Sequence, residues 1–338
     1  MVQGKNGRLG PGGELHCDRT LVLAGAADCS NLPIALLALV FLPRVVAADP
    51  PRHGARSALG RLDLPGAILV TSGLVAVVDG LLAVGTHSWG DIHVLLPIAA
   101  GVLLLTGFVA VEARVKNPLA PLTFFRNRTR VSSNLAQILF GGAFTAMYFL
   151  LTLYMQDVRG FSPLRAGLAY VPLGFALVAG VGVTNALLGR LGAKIMTSAG
   201  FAVAAIGLLL LSGIGPGTGY LAHLLPGMLV FGVGAGVTFP ALQNAALDGA
   251  DELDAGLASG VYSTFQQIGS SLGLAVLVSP ATTRLAHAIR TGTAPLVATT
   301  DAYALTFTVA AAVLAAGAVA VALAMPRPVH LAPHAADQ

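Results

Sequence analysis

PGMLVFGVGAGVTFPALQNAALDGADELDAGLASGVYSTFQQIGSSLGLAVLVS, residues 226–279, is the stretch on which the architecture turns. It holds most of two apolar runs, 220–246 and 256–279, joined by an acidic link of Asp248, Asp251, Glu252 and Asp254. Each run supplies about the 20 residues that an α-helix needs to cross the hydrocarbon core of a bilayer. On a helix at about 100° per residue, Leu257, Val261, Phe265, Ile268 and Leu272 form one apolar arc suited to lipid. The remaining circumference carries Gly256, Gly260, Ser263, Gln267 and Ser270 on one side, and Tyr262, Gln266, Gly269 and Gly273 on the other. In the preceding run Gly232, Gly236, Pro240 and Gln243 share a face. Small residues let helix backbones approach, and amides or hydroxyls in hydrocarbon need partners or a wet cavity. Both helices are therefore expected to pack inward and to line something polar.

Composition extends that reading to the whole chain. Of 338 residues, 55% are hydrophobic and 10% charged, and the mean hydropathy is +0.79. Soluble domains carry charge on roughly a quarter of their residues, so the chain reads as an all-α, polytopic membrane protein; no β pattern is found. The formal net charge of +4 implies no nucleic-acid partner, because the basic residues sort by membrane side. The two cysteines, Cys17 and Cys29, lie in the N-terminal segment without CxxC or metal-ligand spacing. Redox chemistry and metal binding have no support, and no cofactor is expected.

Residues 1–30 read as an irregular, polar N-terminal segment whose apolar stretch Leu21–Ala27 is too short to span. Residues 31–47, interrupted by Pro43 and Arg44, read as a partial membrane helix, the cytoplasmic-side end of one whose beginning is missing or altered. Eight complete spans follow, near 64–85, 92–111, 132–154, 167–188, 195–213, 220–246, 256–279 and 302–325. Lys and Arg concentrate in cytoplasmic loops of membrane proteins. One set of loops holds Arg44, Arg52, Arg56, Arg61, Arg114, Lys116, Arg126, Arg128, Arg130, Arg190 and Lys194, with Arg327 in the tail. The opposite set holds Arg159, Arg165, Arg284 and Arg290. The asymmetry predicts a multi-pass protein of the cytoplasmic membrane with its C-terminus inside and residues 326–338 as a cytoplasmic tail. The acidic link, carrying no base, is either a cap for the helix that follows it or a gate contact with the basic inner loops.

Polar residues recur inside the apolar runs. In 132–154, Asn134, Gln137, Gly141, Thr145, Tyr148 and Thr152 follow one another at spacings of three, four, four, three and four, and so share one face. The stripe is either the wall of a lumen or a seam of interhelical hydrogen bonds. Asp79 is the one carboxylate well inside a complete span, about 7 Å from its midpoint at 1.5 Å per residue. An acid at that depth is expensive to ionise. Asp79 is therefore a candidate proton-coupling site, with a peripheral, locally bonded acid as the alternative. The glycines of 213–219 and 232–236 follow no strand and precede no Walker lysine. Without HExxH or a nucleophile, base and orienter set, catalysis is not expected, and an ATP-driven pump is disfavoured.

Several ordered stretches resemble the second half of the fourteen-helix drug:proton antiporters of the major facilitator superfamily, the QacA/EmrB-like branch. They are NLPIALLALVFLPR (31–44), LDLPGAILVTSGLVAVVDGLL (62–82), VEARVKNPLAPLTFFRNRT (111–129), MQDVRGFSPLRAGLAYVPLG (155–174), LPGMLVFGVGAGVTFPALQNAAL (225–247) and AGLASGVYSTFQQIGSSLGLAV (255–276). The resemblance covers about 31–325. It implies that 64–111 is the two-helix insert between the family's halves and that 132–325 is its C-terminal six-helix bundle. Gly189, Arg190, Gly192 and Lys194 resemble a weak copy of the superfamily's inner-loop signature. The family's N-terminal helices, with their membrane-embedded acid, have no counterpart here, and residues 1–30 look like a truncated or frameshifted start. Asp79 stands where the family usually has an uncharged residue, so no family role transfers to it.

The resemblance implies efflux of drugs or small hydrophobic metabolites by proton antiport, by a chain lacking the N-terminal half. The alternative is a non-transporting remnant, or a subunit that needs a separate N-terminal half. Substrate contacts are expected from Asn134, Gln137, Tyr148, Asn244, Tyr262, Gln266 and Gln267. The expected partners are a small-molecule substrate, the lipid bilayer and protons.

Overall fold

The computed structural model describes residues 64–83, 90–114, 126–250, 255–290, 292 and 294–326. The expectations for residues 1–30, 31–47 and 327–338, and for Asp251, Glu252 and Asp254, fall outside them. Among the described residues every regular element is helical: α1 (Leu64–Ala83), α2 (Ile92–Glu112), α3 (Arg128–Leu153), α4 (Pro163–Ala169), α5 (Val171–Leu211), α6 (Leu225–Ala246), α7 (Ala255–Arg290) and α8 (Pro295–Ala324). Single π-helical turns, Tyr154–Val158 and Tyr220–Leu224, adjoin α3 and α6. Five helical stretches are long and apolar enough to cross a membrane by length and composition. The longest of these, Pro163–Leu211, has 49 residues, about twice what one span needs.

Gly192 divides that long stretch. Its φ of 76° and ψ of 162° lie where a side chain is rarely accommodated. The chain reverses there, as the packing of the two arms of α5 on α6 reveals. Leu173 and Ala176 approach Gly232, and Gly180 approaches Gly236, so the first arm runs parallel to α6. In the second arm Gly200 meets Thr238, Ala204 meets Gly234 and Gly207 meets Phe231, an antiparallel order. The spans expected at 167–188 and 195–213 are thus the two arms of one hairpin.

The remaining pairs follow from the same small-residue logic, in which glycine lets two backbones close where any Cβ would intrude. A Cβ added at Gly142 of α3 would lie 2.9 Å from the Gly269 carbonyl oxygen and 3.0 Å from the Gly273 Cα of α7. Gln137 meets Tyr262, each lying one to three turns before those glycines on its own helix, so α3 and α7 run parallel. Gly80 and Gly101 close α1 and α2 into an antiparallel hairpin. The exterior is apolar, with Leu103 and Phe175 each 73% and Leu323 80% exposed. Small residues inside and large apolar residues outside are what a lipid solvent selects, since tails outside are as apolar as leucine. An aromatic knot of Phe140, Phe144, Phe201, Phe231 and Phe239 joins α3, α5 and α6, with ring centroids 5.0–5.9 Å apart for its tightest pairs.

Candidate functional site

The polar stripe of α3 divides between two environments. Toward its N-terminal end Asn134 and Gln137 are 2% and 0% exposed, and Gly141 faces the Gln266 carbonyl and Ser270 of α7. Asn134 Nδ2 donates to the Arg130 carbonyl at 2.9 Å, the same oxygen that accepts from Ser133 Oγ. The buried Tyr262 hydroxyl donates to Gln137 Oε1 at 3.0 Å. Gln137 Nε2 and Asn134 Oδ1 are buried and make no hydrogen bond among the described residues. This half is a seam between α3 and α7.

The C-terminal half opens. Thr145, Tyr148 and Thr152, with Phe144, Phe149 and Leu153, line a cavity of about 390 Å³. Tyr170, which sequence reasoning did not single out, stacks on Tyr148 with centroids 4.4 Å apart. Its hydroxyl donates to the Tyr148 carbonyl at 2.9 Å and lies 2.8 Å from Thr152 Oγ1. The one signal that could have pointed to it is position: it ends the short helix α4 just before the Pro172 that opens α5.

On α7 the two sides recognised from the helical arrangement part company. Tyr262, Gly269 and Gly273 face α3 and are buried, with Gln266 half-buried among them. Gly256, Gly260, Ser263 and Gln267 are exposed. Ser263, Thr264, Gln267 and Ile268 face Leu74, Val75, Val78 and Asp79 of α1 across a cavity of about 650 Å³. Asp79 is exposed on α1, so two residues chosen for different reasons, Asp79 and Gln267, share one cavity.

Asn244 lies elsewhere, on a cavity of about 250 Å³ where Thr129, Gly192, Lys194, Asp248 and Met325 converge from four helix ends. Beside it the Arg130 guanidinium donates through Nε to the Asp248 carbonyl at 2.6 Å. Asn127 Nδ2 donates to the same carbonyl at 3.2 Å and faces the Asp248 carboxylate at 3.4 Å. Of the two readings of the acidic link, Asp248 thus supplies a tie to the basic start of α3, made largely through its backbone. The predicted site residues therefore fall in four places: Asn134, Gln137, Tyr262 and Gln266 along the seam, Tyr148 outside it, Gln267 with Asp79, and Asn244 at the helix ends.

Residues 29–274 match the family described as Major Facilitator Superfamily. The chain is 38% identical over 251 residues to the cephamycin export protein of Amycolatopsis lactamdurans, a match covering 74% of this chain and 51% of that protein. It is 37% identical over 255 residues to a lincomycin resistance protein of Streptomyces lincolnensis, covering 74% and 50% respectively. Against a puromycin resistance protein of Streptomyces alboniger it is 36% identical over 290 residues, covering 83% and 56%. The chain spans about half the length of these relatives.

Proposed function

This chain belongs to the major facilitator superfamily, and from that premise we propose that it supplies the six-span bundle, 132–325, of an efflux transporter for drugs or small hydrophobic metabolites. The hairpin 64–111 is its insert. The observation that carries this reading is the cavity in which a carboxylate and an amide, Asp79 and Gln267, face each other among apolar side chains. Such groups are costly in hydrocarbon unless they serve a ligand or ion. The relatives' names, reporting export of or resistance to cephamycin, lincomycin and puromycin, favour the same class of cargo.

Proton antiport supplies the driving force in this reading, with Asp79 as the group that exchanges protons and Gln267, Tyr148 and Asn244 as contacts for substrate. Asn134, Gln137, Tyr262 and Gln266 act apart from these contacts, in the seam that holds α3 against α7. The protein lies in the cytoplasmic membrane with its C-terminus inside, as its loop charges indicate, and acts as a transporter without covalent chemistry. Alternating access needs two bundles rocking about a midplane site. A second bundle therefore completes the machine.

The test is drug accumulation in a sensitised host expressing this chain alone, or together with the N-terminal half of a relative. Reduced accumulation only in the combined strain, abolished by an uncoupler, is the expected result. Uncoupler-insensitive or unchanged accumulation in every strain refutes proton-driven export. Proton-driven efflux by the monomeric chain in sealed vesicles refutes the need for a partner.

A further inference from the structure

We propose that the cavity between α1 and α7 is a binding site for the protonated amine of an apolar molecule, with Asp79 as its counterion. The inference rests on the export reading for its role in the cell, but the binding itself stands or falls separately.

Three features of the cavity select the ligand. Among the described residues Asp79 is the only charged side chain lining it, and it makes no hydrogen bond or ion pair with any of them. A lone carboxylate among apolar side chains is stabilised by a cation and repels an anion. The opposite wall offers Gln267, whose side-chain carbonyl accepts hydrogen bonds, and Ser263, whose hydroxyl donates to the Ser259 carbonyl at 2.9 Å and so keeps its lone pairs for an incoming donor. An ammonium with N–H groups can satisfy the carboxylate and the amide together, in charge-assisted bonds. The rest of the wall, Leu74, Val75, Val78 and Ile268, is apolar, which calls for an apolar body behind the nitrogen. A volume of about 650 Å³ is within the range of drug-sized pockets. A quaternary ammonium has no N–H to donate to the carboxylate and the amide, and so fits less well than a primary ammonium.

Two sources carry this chemistry: an amphiphilic drug or metabolite, and an aminophospholipid. The experiment measures binding of a fluorescent lipophilic primary amine, and of its neutral amide analogue, to the full chain in phosphatidylcholine nanodiscs. We expect the amine to bind roughly tenfold or more tighter, the scale of one charge-assisted hydrogen bond. The preference should vanish in Asp79→Asn, persist in Asp79→Glu, and be unchanged in Thr129→Ala, which alters a different cavity. Gln267→Leu should weaken the amine several-fold. Replacing part of the lipid with phosphatidylethanolamine separates the sources. Displacement of the probe that depends on Asp79 supports the site with lipid as an occupant, and absence of displacement supports it with the soluble amine. Equal binding of amine and amide by the wild-type chain, or a preference that survives in Asp79→Asn, overturns the proposal. Amine binding without efflux in the accumulation assay would refute the export reading and leave the site intact.

Discussion

The Tyr262 hydroxyl donates to Gln137 Oε1 at 3.0 Å, across the interface where α7 lies parallel to α3. Gln137 is fully buried, so this bond is the tie through which an amide is tolerated between two membrane helices.

Tyr262→Phe removes the donor and leaves the acceptor buried. Interhelical hydrogen bonds in membranes average about 0.6 kcal/mol, while stranding a buried acceptor costs about 1–3 kcal/mol. A loss near 1 kcal/mol is expected, read as a lower unfolding midpoint in detergent. Because Gln137→Leu removes the stranded group as well, the double variant should be less destabilised than the two single losses added together. Strict additivity would show that the two side chains do not interact.

Gly142→Leu should prevent α3 and α7 from closing, since even a Cβ there meets the backbone of Gly269 and Gly273. Gly260→Ala, with open space around its Cα, should leave the fold intact and gain a little helix propensity. Yield of monodisperse protein separates the two, and equal yields would contradict the packing described.

Arg130→Gln weakens the inner-end tie to the Asp248 carbonyl, a charge-assisted bond worth about 1.5–3 kcal/mol at most. A cysteine placed at Asn244, on the neighbouring cavity, should label faster with a polar maleimide in that background. Unchanged labelling would show that Asp248 does not hold the inner ends together.

Gln137→Leu and Gln267→Leu should behave differently although both remove an amide from a membrane span. In a complete transporter Gln267→Leu is expected to change which drugs are exported while leaving stability unchanged, because its side chain faces a cavity. Gln137→Leu should act mainly on stability. Unaltered resistance profiles in both variants would remove Gln267 from the substrate path.

Tyr170→Phe keeps the stack on Tyr148 but loses the hydroxyl contacts to the Tyr148 carbonyl and Thr152. Tyr170→Ala loses the stack as well, worth about 0.5–1.5 kcal/mol beyond area. The Ala variant should therefore unfold at the lower temperature of the two. Equal midpoints would indicate that the rings are not stacked in the membrane.

Much of this protein was legible in its residues alone. Hydropathy and length gave the long apolar helices at 92–111, 132–154, 220–246 and 302–325 and both arms of the Gly192 hairpin, because a bilayer about 30 Å thick leaves little choice for an apolar stretch of 20 residues. Helical periodicity separated the two non-apolar sides of α7, since a 3.6-residue repeat fixes which side chains are neighbours. Periodicity assigns a face but does not say what stands opposite it. That is why the stripe from Asn134 to Thr152 could be read equally as a lumen or as a seam. Only the approach of α7, set by Gly142, Gly269 and Gly273 closing backbone on backbone, buried Gln137 and left Tyr148 open. The meeting of Asp79 with Gln267, well over a hundred residues apart in the chain, likewise depends on where the α1–α2 hairpin docks, a long-range packing outcome that no local pattern encodes.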